Sequence, residues 1–320
     1  MNEQSFEIDM ENNLQKVKYE QRLTCPLHND VEDNKSIKLI PFTSINDKLT
    51  GRVFKILRCS KCGVGLTDPF PTEETVKWLY EGRESVSNFD PINGTFMDSI
   101  KDFFARKDLR KVHERVGFPK ISYVLDFGTG NGRFSVASLR TFPGCIVDAV
   151  DFDTYPPPVL KGMKGINYLP LTTFLQTSKQ YDLILLRHVL EHVHNPLGFL
   201  RTMAKHLSSQ GILYIEVPNI ESASVRYFSS IANALSVPYH LFNFNIPSLE
   251  SLIHSAGLKC QITTKGMPFV GCVLAGLLKQ ERNIIHQFLG ITLHPIQMIM
   301  DFIYGKFIIA AICITDNKER

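Results

Sequence analysis

Residues 121–134 read Ile-Ser-Tyr-Val-Leu-Asp-Phe-Gly-Thr-Gly-Asn-Gly-Arg-Phe, and their interpretation decides the fold. Tyr123, Val124 and Leu125 make a short apolar run that ends on Asp126, with glycine at 128, 130 and 132. A buried strand that runs into such a loop brings its main chain close to a ligand, because glycine has no Cβ to hold it off. A helix from about Phe134 would aim its first N–H groups into the same crevice. A tight structural turn uses the same residues, so the loop takes its meaning from its surroundings.

Residues 145–153, Cys-Ile-Val-Asp-Ala-Val-Asp-Phe-Asp, supply that setting: a second short apolar strand ending in acid. Asp151 stands where a carboxylate can accept hydrogen bonds from a ribose, and Phe152 can cover an adenine face. The loop lacks the later glycine of the dinucleotide fingerprint, and Asp126 precedes it. In this form it resembles motif I of the class I S-adenosylmethionine (SAM)-dependent methyltransferases. The resemblance implies that Asp126, Gly128, Thr129, Gly130 and Gly132 hold the methionine part of SAM, with the backbone near Leu186 and Arg187 beneath.

The second informative stretch is 181–201, Tyr-Asp-Leu-Ile-Leu-Leu-Arg-His-Val-Leu-Glu-His-Val-His-Asn-Pro-Leu-Gly-Phe-Leu-Arg. An apolar strand begins at Asp182 and emerges at Arg187-His188, on the carboxyl edge where open α/β sheets bind ligands. This segment, Val217-Pro218-Asn219, the run Pro238 to Phe244 and the run Ser248 to Gly257 resemble ubiquinone-biosynthesis-like methyltransferases. Some of those enzymes bind a divalent ion through Glu-x-x-Glu-His; here His188 replaces the first glutamate. The string His188-Val-Leu-Glu191-His192 also matches a zinc-protease expression, but that chemistry needs both histidines on one helix face, and this segment starts at a strand end.

Near the N-terminus, Cys25-Pro-Leu-His28 and Cys59-Ser-Lys-Cys62-Gly63 form two Cys-x-x-ligand knuckles. Together they offer a tetrahedral Cys3His set, for which structural zinc is the expected ion. A ribbon of this size buries too little apolar surface to stand without such a staple. With the knuckles included, the likeness covers most of residues 25–265 and points to methyltransferases with an N-terminal zinc ribbon that modify sugars or other small polar metabolites.

Composition narrows the remaining classes. Lys and Arg number 35 against 32 Asp and Glu, so no electrostatic case for nucleic acid arises. The apolar fraction of 44% is that of a soluble globular chain. Residues 1–20 are polar and unlike a secretory signal, and seven cysteines, three of them clustered, favour a reducing compartment; the expected location is cytoplasmic. No window reads as a transmembrane span. The broad apolar face over 284–303 suggests a helical pair on the sheet, a homodimer contact or a peripheral membrane contact.

The expected organisation is a tail and ribbon over 1–72, a helical linker over 73–118, and a methyltransferase domain over 119–320 with a helical insertion at 266–305. Within it, 1–22 reads as a frayed helix or tail and Asp68-Pro-Phe-Pro71 as a breaker. Phe96, Ile100, Phe103, Phe104, Leu109, Val112 and Val116 recur at helical spacing and predict an amphipathic helix over the SAM crevice. Strands at about 121–126, 145–151, 166–169, 181–187, 211–217, 259–264 and 307–315, alternating with helices, predict a mostly parallel sheet covered on both faces. The resemblance makes it seven strands, the last antiparallel. For a general base the candidates are His240, His192 and His188, with Glu191 to orient one; family position favours His240. A non-catalytic adaptor on the same fold is the alternative reading. Thr172, Thr173 and Gln176 stand where many relatives carry an acid for the adenine amino group.

Overall fold

The computed structural model describes residues 18–22, 24–28, 37–47, 51–81, 92–117, 120–232, 235–266 and 292–315. Its N-terminal part contains β1 (Tyr19–Glu20), β2 (Leu39–Asn46), β3 (Val53–Cys59), β4 (Gly65–Asp68), β5 (Phe70–Pro71) and the helices α1 (Glu73–Glu81) and α2 (Phe96–Val116). Then follow β6 (Tyr123–Phe127), α3 (Arg133–Thr141), β7 (Ile146–Asp151), β8 (Ile166–Pro170), β9 (Tyr181–Arg187), α4 (Pro196–Lys205), β10 (Leu207–Pro218) and α5 (Ala223–Ala232). The chain continues through β11 (Phe242–Asn243), α6 (Ile246–Ser255), β12 (Leu258–Lys265), α7 (His294–Tyr304) and β13 (Ile308–Thr315).

Seven strands form one sheet in the order β12-β13-β10-β9-β6-β7-β8. The pairs β10–β9, β9–β6, β6–β7 and β7–β8 are parallel, and β13 lies antiparallel between β10 and β12. Central parallel strands are covered on both faces, so they read as unbroken apolar runs. Leu183 to Leu186 and Ile212 to Val217 are buried throughout. Each of the seven expected strands is present, and their order reverses beside β6, which puts the glycine loop at the ligand-binding edge.

Capping explains where the helices start. Thr95 Oγ1 accepts from the Asp98 N–H at 3.2 Å while Asp98 Oδ2 accepts from the Thr95 N–H at 3.1 Å, a reciprocal box that opens α2; Gly117 closes it in the left-handed region. Asn245 and Ser248 make the same box for α6. The predicted burial of α2 is only partly realised. Ala105, Leu109 and Val112 are buried, whereas Phe96, Phe103 and Phe104 are exposed, Phe96 at 81%. The helix is held by ion pairs as well: Asp98 to Arg133, Asp102 to Arg140 and Asp108 to Lys265.

Two further expectations are corrected, and a third holds. Tyr19 and Glu20, assigned to a frayed helix or tail, form a strand that pairs with Pro71 and Phe70, because extended residues beside a strand edge complete its ladder. The stretch 68–71, read as a breaker, acts as one: Asp68 ends β4 in the ribbon sheet, and Phe70 begins β5, which pairs with β1 in a separate two-stranded sheet. The ribbon is not built from N-terminal residues alone. Its sheet has the order β11-β4-β3-β2, and β11 comes from the far end of the chain. Leu66 pairs with Phe242 and Gly65 with Asn243. Phe242 and Phe244 are fully buried in a core shared by Cys25, Val64, Leu66 and Phe70 and by the sheet residues Leu186 and Ile215. Burial of each such ring contributes about 1.5–3 kcal/mol.

Of the insertion, 267–291 lies outside the described residues, as does the 284–291 part of the proposed contact face. The described part is α7, on which Met298, Ile299, Phe302 and Ile303 are exposed.

Candidate active site

The floor of the site is the turn after β6. Asp126 is buried, and its Oδ2 accepts from Thr129 Oγ1 at 2.8 Å and Ser135 Oγ at 2.6 Å. Burial pushes its carboxyl above the usual range, against those two hydrogen bonds. The side chains of Asp126 and Thr129 are therefore spent on shaping the loop, and the N–H groups of Gly128 and Thr129 bond to Val150 O. Gly128 has φ +73°, and a Cβ there would sit 2.5 Å from Val189 Cγ2, so only glycine fits.

Asp151, at the end of β7, reaches over this loop. Its Oδ2 accepts from the Gly130 N–H at 2.7 Å and its Oδ1 from the Phe152 N–H at 2.8 Å. Burial raises its pKa, with these two bonds opposing. Each carboxylate oxygen keeps a second lone pair. Phe152 is 67% exposed at the crevice mouth. Leu186 lies fully buried in β9, opposite Phe127 in the register. Arg187 turns sideways: its guanidinium lies 3.4 Å from the Phe134 ring centroid, and its Nε binds Glu216 Oε2 at 2.5 Å. Glu216 in turn binds Lys265 at 2.7 Å, and Lys265 reaches Asp108 on α2 at 2.8 Å. Burial would raise the Glu216 carboxyl, but Arg187 and Lys265 hold it well below the usual range.

Opposite the loop, three imidazoles gather around one carboxylate. His188 leaves β9 with φ 54°, a left-handed conformation that costs a non-glycine residue energy, and its N–H is tied to Glu216 O at 2.9 Å. The turn Leu190–His192 then buries Glu191 to 1% exposure. Glu191 Oε1 lies 3.4 Å from His188 Nδ1 and 4.0 Å from His240 Nε2. The rings of His192 and His240 meet edge to face at 4.7 Å. Burial alone would raise the Glu191 carboxyl; His188 and the charges of His192 and His240 outweigh it and hold it at about 2. One donor atom each from Glu191, His192 and His240 falls within a 4.8 Å cluster. Both histidines do not project from a helix face, so the protease geometry is absent here.

Two residues that patterning did not single out complete this side. Tyr80, on α1, places its hydroxyl 3.0 Å from His192 Nδ1 and stacks its ring on Phe152 at 5.9 Å and 21°. It is the link between the two halves of the crevice. His192 Nδ1 also lies 2.9 Å from Tyr239 O. A carbonyl can only accept, so Nδ1 carries the proton and Nε2 is the basic nitrogen of the neutral ring. Thr67, on β4, donates through Oγ1 to His240 O at 2.5 Å and through its N–H to Leu241 O.

Behind the site stand the two knuckles. Cys25, His28, Cys59 and Cys62 bring one donor atom each within 4.8 Å of one another. Cys25 and Cys62 sulfurs are 4.0 Å apart, and the hydrogen bond between them draws the Cys62 thiol down to about 5 while pushing the Cys25 thiol up. His28 is buried, and its Nε2 makes no hydrogen bond to protein. A buried ring nitrogen with no partner beside three thiols suits a borderline-soft ion. Gly63 turns the second knuckle at φ +78°, and a Cβ there would strike Asn245.

Fold and site define the class: a seven-stranded α/β sheet with a glycine loop and a strand-end acid at its carboxyl edge is that of the class I SAM-dependent methyltransferases. The family model described as a methyltransferase domain matches residues 96–261, and the chain belongs to that family. Similar curated proteins include the ubiquinone biosynthesis O-methyltransferase of Rickettsia bellii, 32% identical over 102 residues, which are 30% of this chain and 42% of that protein. That of Rickettsia prowazekii is 30% identical over 100 residues, 30% of this chain and 40% of its own length. The chain thus spans less than half of these relatives. Among solved structures, the plantazolicin methyltransferase BpumL, in complex with a triazolic desmethylPZN analog and SAH, is similar in fold, with a TM-score of 0.51 and 19% identity over 76% of this chain and 94% of that one. Among the described residues no helix is long and apolar enough to cross a membrane.

Proposed function

We propose that this chain transfers a methyl group from SAM to a small polar acceptor whose O–H or N–H loses its proton to the imidazole cluster. The observation that carries the reading is Asp151, bonded to the Gly130 N–H at 2.7 Å across the glycine loop. When bound, SAM supplies an electrophilic methyl on a sulfonium. The main chain of 128–130 would border its methionine part, the remaining lone pairs of Asp151 would take ribose hydroxyls, and Phe152 would cover the base. His192 Nε2 accepts the acceptor's proton while Nδ1–H stays on Tyr239 O, and buried Glu191 stabilises the imidazolium that forms. With Nδ1 facing Tyr239 O, His192 is the preferred base in this reading, and His240 sits against Glu191 as the second imidazole.

A sugar or sugar nucleotide as acceptor rests on the family resemblance alone; the named relatives and neighbours concern ubiquinone biosynthesis and plantazolicin. The adaptor reading is set aside by family membership and the intact loop. Calorimetry with SAM on wild type and on Asp151→Ala tests the donor site: unchanged affinity in the variant would refute the ribose role. A screen of hydroxyl- and amine-bearing acceptors for labelled methyl uptake tests the transfer. The knuckles would hold about one zinc per chain, and elemental analysis finding none would refute that assignment.

A further inference from the structure

A third group of metal-binding side chains lies away from both clusters described above, at the outer edge of the sheet. Glu250 and His254 stand one turn apart on the exposed face of α6. Cys260 lies on β12, the last strand of the seven-stranded order, and packs half-buried beneath that helix. One carboxylate oxygen, one imidazole nitrogen and the Cys260 sulfur all fall within 4.8 Å of one another.

We infer that Glu250, His254 and Cys260 form a second divalent-metal site, of zinc type, that clamps α6 to the edge strand β12. The donor set of one thiolate, one imidazole and one carboxylate is what a four-coordinate borderline ion takes up while leaving one position for water. The thiolate and carboxylate together neutralise the ion's two charges. Cys313 lies beside Cys260: it is its cross-strand neighbour in the β12–β13 ladder and is itself fully buried. The chain between the ligands is short, running from the end of α6 through Ala256 and Gly257 into β12, so an ion here closes a small loop at a sheet edge. It stands apart from the catalytic reading and does not rest on it.

The test uses the full chain with its ribbon zinc in place, in a phosphine reductant, titrated with Zn2+ by calorimetry and with Co2+ by absorption. The expected result is a second equivalent of metal, a thiolate-to-cobalt charge-transfer band and a rise in Tm on addition of zinc. Cys260→Ser should lose the band and the Tm shift, and His254→Gln, an exposed change that leaves the core alone, should lose the second equivalent. No second equivalent in wild type overturns the proposal. Binding that survives unchanged in His254→Gln, or a cobalt band absent from wild type, overturns it as well, because the metal is then held at scattered surface groups.

Discussion

The two walls of the crevice, one assigned to the donor and one to the acceptor in the proposed reading, are built differently. The donor wall, from Asp126 to Asp151, comes from one β-α-β unit, and its polar atoms are bonded to neighbours within 25 residues. The acceptor wall joins Tyr80, Thr67, the turn 188–192 and the segment 239–241, with sequence separations of 112 residues for Tyr80–His192 and 173 for Thr67–His240. One wall is rigid by local bonding; the other holds its geometry only while the ribbon stays folded against the sheet.

The sharpest way to separate them is to remove the zinc proposed for the ribbon. Chelation, or Cys59→Ser, should release one zinc and unfold the knuckles, since the binding free energy of a structural zinc is on the order of 10 kcal/mol of folding energy. SAM affinity by calorimetry should fall far less than acceptor turnover; equal loss of both would erase the contrast. Next in size, Asp151→Ala should weaken SAM at least about a hundredfold, roughly 3 kcal/mol, with thermal stability little changed. A comparable effect is expected from Glu191, seen through pH. Its carboxyl titrates at about 2 in the fold against an ordinary 4.5, so it contributes stability above pH 4.5 that is lost as pH falls from there towards 2. The full contribution is about 3 kcal/mol. Denaturant midpoints of Glu191→Gln should therefore be flatter than wild type across that interval; parallel curves would mean that the imidazoles do not stabilise the carboxylate. Smallest, Tyr80→Phe removes one hydrogen bond worth about 1 kcal/mol, a fivefold effect. It should appear in methyl transfer and not in SAM affinity, and the reverse would place Tyr80 on the donor wall.

The same contrast explains what the sequence disclosed. The strands were legible because residues such as Leu183 to Leu186 are covered on both faces, which forces an unbroken apolar run. The glycine loop and Asp151 were legible because their relation is local. The knuckles were legible by spacing, and the structure brings their four donors together. Tyr80 gave no signal beyond falling in the expected helical linker, since nothing in residues 73–81 records a partner at 192. Helical periodicity overstated α2: Phe103 and Phe104 fall on the pattern but not on the face that meets α3. The contribution of β11 was invisible because two residues carry no period, and what selects them is the unpaired edge of β4.

Because Phe242 and Asn243 complete a sheet whose other strands precede residue 69, the N-terminal module cannot be exchanged like a cassette. A chimera that grafts a foreign ribbon onto this catalytic core would strip the peptide backing from His240 and bare two phenylalanines. Diversification of the acceptor is thus tied to paired changes at both places, and recombination at residue 72 should yield insoluble protein more often than new specificity.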